Sequence, residues 1–199
     1  MATSTVDIVN KALNHLGVRP IASLTEDSEP AERASAIYES VRDDVLRAYA
    51  WGFATKITTL AAISDETVSG WEYLYVYPAN CLRIRKVFED TDATDPVGVE
   101  FKEVQSPTTA QRAIAANITP AYVEYTIKVS DPNSYDPAFI EAMALKLAAS
   151  LAHQLTGDKA LGPQIQGFYT GALSEAKRLD STEKKLTDTS ESSFHQARG

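Results

Sequence analysis

Val45-Leu46-Arg47-Ala48-Tyr49-Ala50-Trp51-Gly52-Phe53-Ala54-Thr55-Lys56-Ile57-Thr58-Thr59 changes hydrophobic period in its middle, and that change decides the fold. Upstream, from Ser28, residues Ala34, Ile37, Tyr38, Val41, Val45 and Ala48 recur at the three- and four-residue spacing of one helical face. Arg33, Glu39, Arg42, Asp43 and Arg47 supply the other face as surface pairs. Downstream, as far as Ala62, Phe53, Ile57, Thr59 and Ala61 alternate with Ala54, Lys56, Thr58 and Leu60, which is the period of a half-buried strand. Trp51, Gly52 and Phe53 are therefore the helix-to-sheet joint. Glycine relieves crowding and aromatic rings bury the most area, so core packing is the first reading of this joint.

Towards the N-terminus, Ser4 caps a first helix with Asp7 in its opening turn, and Gly17 closes it in a left-handed conformation. Pro30 fits the opening turn of the second helix. Towards the C-terminus, Trp71 to Tyr77 alternate strictly, with four aromatics on one face. After the turn Pro78-Ala79-Asn80 comes a strand over Leu82–Phe88, and the two are expected to form a hairpin. Further strands are expected over Val97–Val104, around Ile114, and over Ala121–Val129. Asp136 and Pro137 open a third helix whose apolar surface is wide enough for burial on more than one side, until Gly157 caps it. A fourth helix starts near Asp158 and fades near Leu179. Ser181 to Gly199 is rich in Ser, Thr and charge, with Leu186 and Phe194 its only large apolar residues, and alone it should be disordered.

The expected class is α+β: a helical bundle made by the N- and C-terminal helix pairs, an inserted antiparallel β domain and an extended C-terminal tail. The boundaries are 1–52 for the first helices, 53–130 for the β domain, 131–180 for the second helices and 181–199 for the tail.

A chain of 199 residues with 44% hydrophobic content buries roughly 70% of its unfolded surface on folding and needs no staples. The lone cysteine, Cys81, cannot make an internal disulfide and reads as a small buried hydrophobe in a reducing compartment. Neither a signal peptide nor a membrane span is expected, since no apolar run approaches the roughly 18 residues required. A net charge of −8 argues against a nucleic-acid binder that works by neutralising phosphates. Any DNA this chain meets should pass without being held.

Evidence for chemistry is thin. A nucleophile elbow, a phosphate-cradling glycine loop and a paired-histidine zinc helix are all missing from the sequence. His15, His153 and His195 stand apart, none with a second ligand at metal spacing, so no cofactor and no metal are expected. The acidic loop Glu89 to Pro96 lacks the glycine and terminal glutamate of a calcium loop. Glu72 and Glu124 are the pair a glycosidase reading would use, and the Tyr73, Tyr75, Tyr77 ladder would stack sugars or bases, although sheet packing demands the same alternation. Arg83, Arg85 and Lys86 form the compact basic cluster of the strand block. With Glu89, Asp90 and Asp92 nearby, they read either as local charge compensation or as a subunit contact in which one copy's acids meet the next copy's arginines.

Taken in order and spacing, six segments resemble a known family. They are Val9-Asn10-Lys11-Ala12-Leu13-Asn14-His15-Leu16-Gly17, Pro20-Ile21-Ala22-Ser23-Leu24, Tyr38-Glu39-Ser40-Val41-Arg42-Asp43, Trp51-Gly52-Phe53-Ala54, Tyr75-Val76-Tyr77-Pro78 and Ala172 to Asp180. The family is the tail tubular protein A, or head-to-tail adaptor, of short-tailed phages related to the T7 group. The resemblance covers most of the chain but not 89–117, and it is no catalytic signature. It implies a non-enzymatic virion component: a dodecameric ring below the portal protein and above the tail nozzle protein, with tail fibres as further neighbours and the packaged double-stranded DNA passing through the lumen. It also implies that the C-terminal segment reaches the portal, which makes Leu186, Phe194 and Arg198 the docking candidates. Two readings from other classes stand beside it, a phage-encoded glycan hydrolase and a small acidic binding module.

Overall fold

The computed structural model describes the backbone of residues 3–89 and 96–195 and the side chains through residue 183. The protein is α+β, with four helices and two three-stranded antiparallel sheets among the described residues. It divides into two compact units. One comprises the chain up to Phe53 together with everything from Val129 onward, and the other is Ala54–Lys128.

The helical unit contains α1 (Thr5–His15), α2 (Glu29–Arg47), α3 (Pro137–Thr156) and α4 (Leu161–His195). Each start is chemically fixed. Ser4 and Asp7 form a reciprocal capping box on α1, Ser28 accepts the Ala31 amide at the head of α2, and Asp136 accepts the Ala138 amide at the head of α3. Gly17 (φ 66°) and Gly157 (φ 72°) take the left-handed conformation that ends α1 and α3. α3 is the central helix and touches α1, α2 and α4. Its buried residues, among them Phe139, Met143, Leu147 and Leu151, lie all round it, as the width of its apolar surface requires. At Gly162, α4 comes so close to α3 that an added Cβ would stand 3.3 Å from the Ala149 carbonyl oxygen. Glycine is what permits that approach.

Two expectations for the helices change. Arg42 is not on a surface face: its side chain is 3% exposed, because Ala34, Tyr38, Val41, Arg42 and Val45 together are wider than a single stripe. And α4 does not fade near Leu179; its backbone stays helical to His195, so the extended tail expected from Ser181 is instead the last part of a 35-residue helix. No Gly or Pro interrupts residues 172–195. A helix already nucleated by packed residues needs only propagation, which Glu, Lys and Leu favour.

A short 3-10 turn at Gly52–Ala54 leads into β1 (Thr55–Thr59), the first strand of the β unit. Then follow β2 (Tyr73–Val76), β3 (Cys81–Phe88), β4 (Phe101–Gln105), β5 (Arg112–Ala116) and β6 (Tyr122–Ile127). The sheets have the orders β1-β6-β3 and β2-β5-β4. Their facing sides share one core of Tyr75, Ile84, Val87, Ile114, Val123 and Tyr125. Beyond β1, the chain crosses to run beside β2, with Ile63 N donating to Leu74 O and Val76 N to Ala61 O. On the other side, Val99 N donates to Val87 O just before β4 begins. The two sheets thus approach a six-stranded barrel, in the circular order β1-β6-β3-β4-β5-β2.

The expected hairpin of β2 and β3 does not form, because β2 pairs with β5 and β3 with β6. Asn80, at φ 57°, turns the chain out of the β2-β5-β4 sheet, and its carbonyl accepts the Lys128 amide, which delivers β3 to β6. The aromatic ladder also divides. Tyr73, Tyr75 and Tyr77 pack in the core between the sheets, while Trp71 joins Leu74 in the cluster on the other face of β2 and β5. In β3, register shifts at Cys81/Arg83 and Ile84/Lys86 bring Ile84 and Val87 into the same core, which strict alternation would have separated. The strand expected from Val97 begins only at Phe101, and Val97 itself is 86% exposed.

Candidate functional site

Three constellations hold polar side chains in defined geometry. The first is the α1–α2 loop. Asn10, on α1, donates through Nδ2 to the Ile21 carbonyl (2.9 Å) and accepts the Ile21 amide on Oδ1 (2.8 Å), so one side chain replaces a missing backbone partner on both sides. Glu26 receives the Ala22 and Ser23 amides and the Ser28 hydroxyl. The loop is thereby fixed as a surface, with Arg19, Pro20 and Ala22 exposed on it. Asn10→Ala leaves two part-buried backbone groups without their partner and is expected to cost about 1–3 kcal/mol in urea unfolding. An unchanged midpoint would show that the clamp is incidental.

The Ser28 hydroxyl, then the Ala22 amide, hold the Glu26 carboxyl below its ordinary range. A depressed folded value means that the stabilisation is complete above the ordinary glutamate pKa of about 4.3 and is lost as pH falls through the folded value. The Ala22 amide should therefore titrate in an NMR pH series with a midpoint below that of a model glutamate. A midpoint at or above the model value would contradict the bonding.

The second constellation joins α2, its exit and α4 inside the helical unit. Trp51 is 1% exposed, its indole N–H donates to the Val45 carbonyl (3.0 Å), and its ring meets Tyr49, Phe53 and Phe139 at 5.2, 6.2 and 5.2 Å. Phe53 continues onto Tyr135 and Phe139. Asp180 Oδ1 accepts the Gly52 amide (2.8 Å), and the Ser181 and Tyr49 hydroxyls bond at 2.7 Å. These contacts fasten α4 at residues 180–181 beside the end of α2. An open groove of about 530 Å³ lies there, rimmed by Phe53, Tyr135, Asp136, Asp180 and Glu183. Asp136 and Asp180 use their carboxylates on backbone amides of this same unit.

The third is in the β unit. The Arg112 guanidinium lies 3.8 Å over the Tyr77 ring, donates to the Tyr77 hydroxyl (2.7 Å) and pairs with Glu103 (2.6 Å). Cys81 Sγ stands 3.5 Å from the same hydroxyl. Burial raises both the phenol and the thiol, so both are neutral at neutral pH. Cys81 is half-buried at the edge of the core.

Arg83, Arg85 and Lys86 all lie on β3. Arg83 is exposed; Arg85 is half-buried, with its Nε donating to Thr126 Oγ1 (2.8 Å), and Lys86 donates to the Pro96 carbonyl. Glu89 is exposed. Asp90 and Asp92 lie outside the described residues. Leu186 and Phe194 fall on the α4 backbone with side chains outside the described set, and Arg198 lies outside it altogether. Glu124 sits on β6, the middle strand of one sheet, and Glu72 lies just ahead of β2 in the other, with its amide donating to Asn117 Oδ1. His15 reaches Glu141 (3.2 Å), which also takes Lys11. His153 is exposed near the end of α3. Among the described residues, no group of three or more His, Cys, Asp or Glu side chains could hold a metal ion, and no helix is long and apolar enough to cross a membrane.

Asn10, Arg112 and Asp180 carry geometry that periodicity does not reveal, because each acts on a residue outside its own element, while Glu26 acts within its own loop. No protein-family model matches the chain, and no curated protein matches it.

Proposed function

We propose that this chain is a structural virion protein without enzymatic activity: a head-to-tail adaptor that forms a ring, a dodecamer, between portal protein and tail nozzle protein in the neck of a short-tailed phage. In this reading the N- and C-terminal helix pairs close one bundle, the β unit is inserted between them, and the end of α4 docks on the portal as a helix rather than as an extended strand. The ring is assembled in the host cytoplasm, with tail fibres as further neighbours. Double-stranded DNA passes through it without specific binding, since a net charge of −8 offers phosphates little to hold.

One observation carries this reading. Four of the six segments that resemble the adaptor family, though scattered through the sequence, meet in two pairs in the helical unit, and a fifth is buried there. Asn10 clamps Ile21, Tyr38 and Arg42 are buried on α2 beside Asp43, and Asp180 anchors Gly52 next to Trp51. Residues that form one framework are expected to recur together where the same framework is reused.

The reading is tested by sedimenting the full chain through a gradient with the portal protein of the same phage. An adaptor co-migrates with the portal in many copies. A chain that stays at monomer position, with portal present in excess, overturns the assignment.

A further inference from the structure

The chain leaves the helical unit after Phe53 and returns to it at Val129, so two connections join the units. Each runs through a short 3-10 turn, Gly52–Ala54 on the way out and Pro132–Ser134 on the way back. Residues at the ends of elements absorb changes of chain direction, which makes these two segments the hinge positions of the chain. Both are held by side chains of the helical unit. On the outgoing connection the Gly52 amide donates to Asp180 Oδ1 of α4 (2.8 Å). On the return the Tyr135 hydroxyl donates to the Val129 carbonyl (2.8 Å), and Asp131 fixes the turn by accepting the Asn133 amide (3.0 Å).

The two holds meet. Tyr135, 6% exposed, has its ring centre 5.8 Å from that of Phe53 and 5.0 Å from that of Phe139, and Phe53 and Phe139 are themselves 5.1 Å apart. The residue that follows Gly52 and the residue that ties down Val129 therefore pack on each other and on one side chain of α3. The groove beside them is rimmed by the outgoing connection through Phe53, by the return through Tyr135 and Asp136, and by α4 through Asp180. Beyond Asp180 the α4 backbone stays helical to His195. A stiff element of this kind carries a displacement at its end back to the point where it is tied.

We propose that Asp180, Phe53 and Tyr135 form a clasp that holds both connections to the β unit as one element, with α4 as its lever, so that a load on the C-terminal end of α4 loosens or tightens the two connections together. The clasp belongs to the single chain, and its failure would leave the adaptor reading untouched.

The test is amide hydrogen exchange of the full chain, followed by NMR at Gly52 and at Asn133, Ser134 and Tyr135, whose amides are all hydrogen-bonded. Removing a bond speeds exchange of the amide that made it with or without a clasp, so the informative site is the opposite connection. Asp180→Ala is expected to speed exchange at Ser134 and Tyr135 about threefold or more, and Tyr135→Phe, which keeps the ring, to do the same at Gly52. With both substitutions in one chain, the rise at Ser134 should fall short of the product of the single effects. Asp180→Asn, whose side-chain carbonyl still accepts, should keep the parent rates. Acceleration confined to the altered connection in each variant would show two unrelated bonds and overturn the clasp. An equal acceleration throughout α1 and α3 would overturn it as well, since that is a loss of stability of the whole unit and not a release of its connections.

Discussion

Trp51→Ala is expected to lower the stability of the protein by about 3–5 kcal/mol, the range for removing a large buried aromatic side chain. The ring is 1% exposed and makes edge contacts with Tyr49 and Phe139 and a stacked contact with Phe53. Its removal opens a cavity among these rings and also takes the indole donor from the Val45 carbonyl at the end of α2. Trp51→Phe separates the two effects, since it keeps most of the packing and loses only the hydrogen bond, worth about 1 kcal/mol. Urea unfolding followed by far-UV circular dichroism gives both numbers. A Trp51→Ala protein within about 1 kcal/mol of the parent would show that the residues around it close over the gap and that Trp51 does not hold the end of α2 in place.

The second large effect is on binding. Deleting residues 181–199 should leave a folded protein and abolish attachment to the portal, a loss of roughly a hundredfold or more if the end of α4 carries the docking contact. Stability should hardly change. Among the described residues, those buried on α4 are Ile165, Tyr169 and Ala176, and the Asp180 to Gly52 bond survives the cut. The deletion removes the Ser181 to Tyr49 hydroxyl bond, worth about 1 kcal/mol, together with the interaction of the exposed Glu183. Thermal melting by circular dichroism and portal binding by surface plasmon resonance, run on the same preparation, separate the two outcomes. Undiminished binding by the shortened protein would remove the docking role from the C-terminal helix.

Much of the fold is legible in the sequence because its signals are local. Ser4 with Asp7, Ser28 with Pro30, and Asp136 with Pro137 each mark a helix start, and Gly17 and Gly157 mark the ends, through backbone groups within a few residues. The α+β class follows from the change of period at Gly52. What periodicity misses is non-local. β2 and β3 are adjacent in sequence and alternate well, yet their partners are β5 and β6, and nothing in Tyr73–Val76 announces which strand it will meet. The short run Arg112–Ala116 is the middle strand of its sheet and is buried on both faces, so it has no alternation to read. The end of α4 was hidden for another reason. Ser181 onward has the composition of a disordered segment, but composition ignores the helix that precedes it and supplies the nucleus.

The candidate site divides in the same way. Trp51, Gly52 and Phe53 stand out in the sequence and prove to be part of the aromatic cluster that includes Tyr135 and Phe139. Arg83 and Arg85 also stand out, but a bulged strand gives them different surroundings, one exposed and the other bonded to Thr126. Asn10 does not stand out, because a polar residue on a short helix is ordinary until its loop folds back onto it.

The most direct measurement is electron microscopy of the full chain mixed with the portal protein of the same phage. The adaptor reading predicts a second ring coaxial with the portal, its subunits regularly spaced about a common channel. Portal particles that stay bare at saturating concentrations of the chain, or that carry it at scattered positions without rotational order, would contradict it.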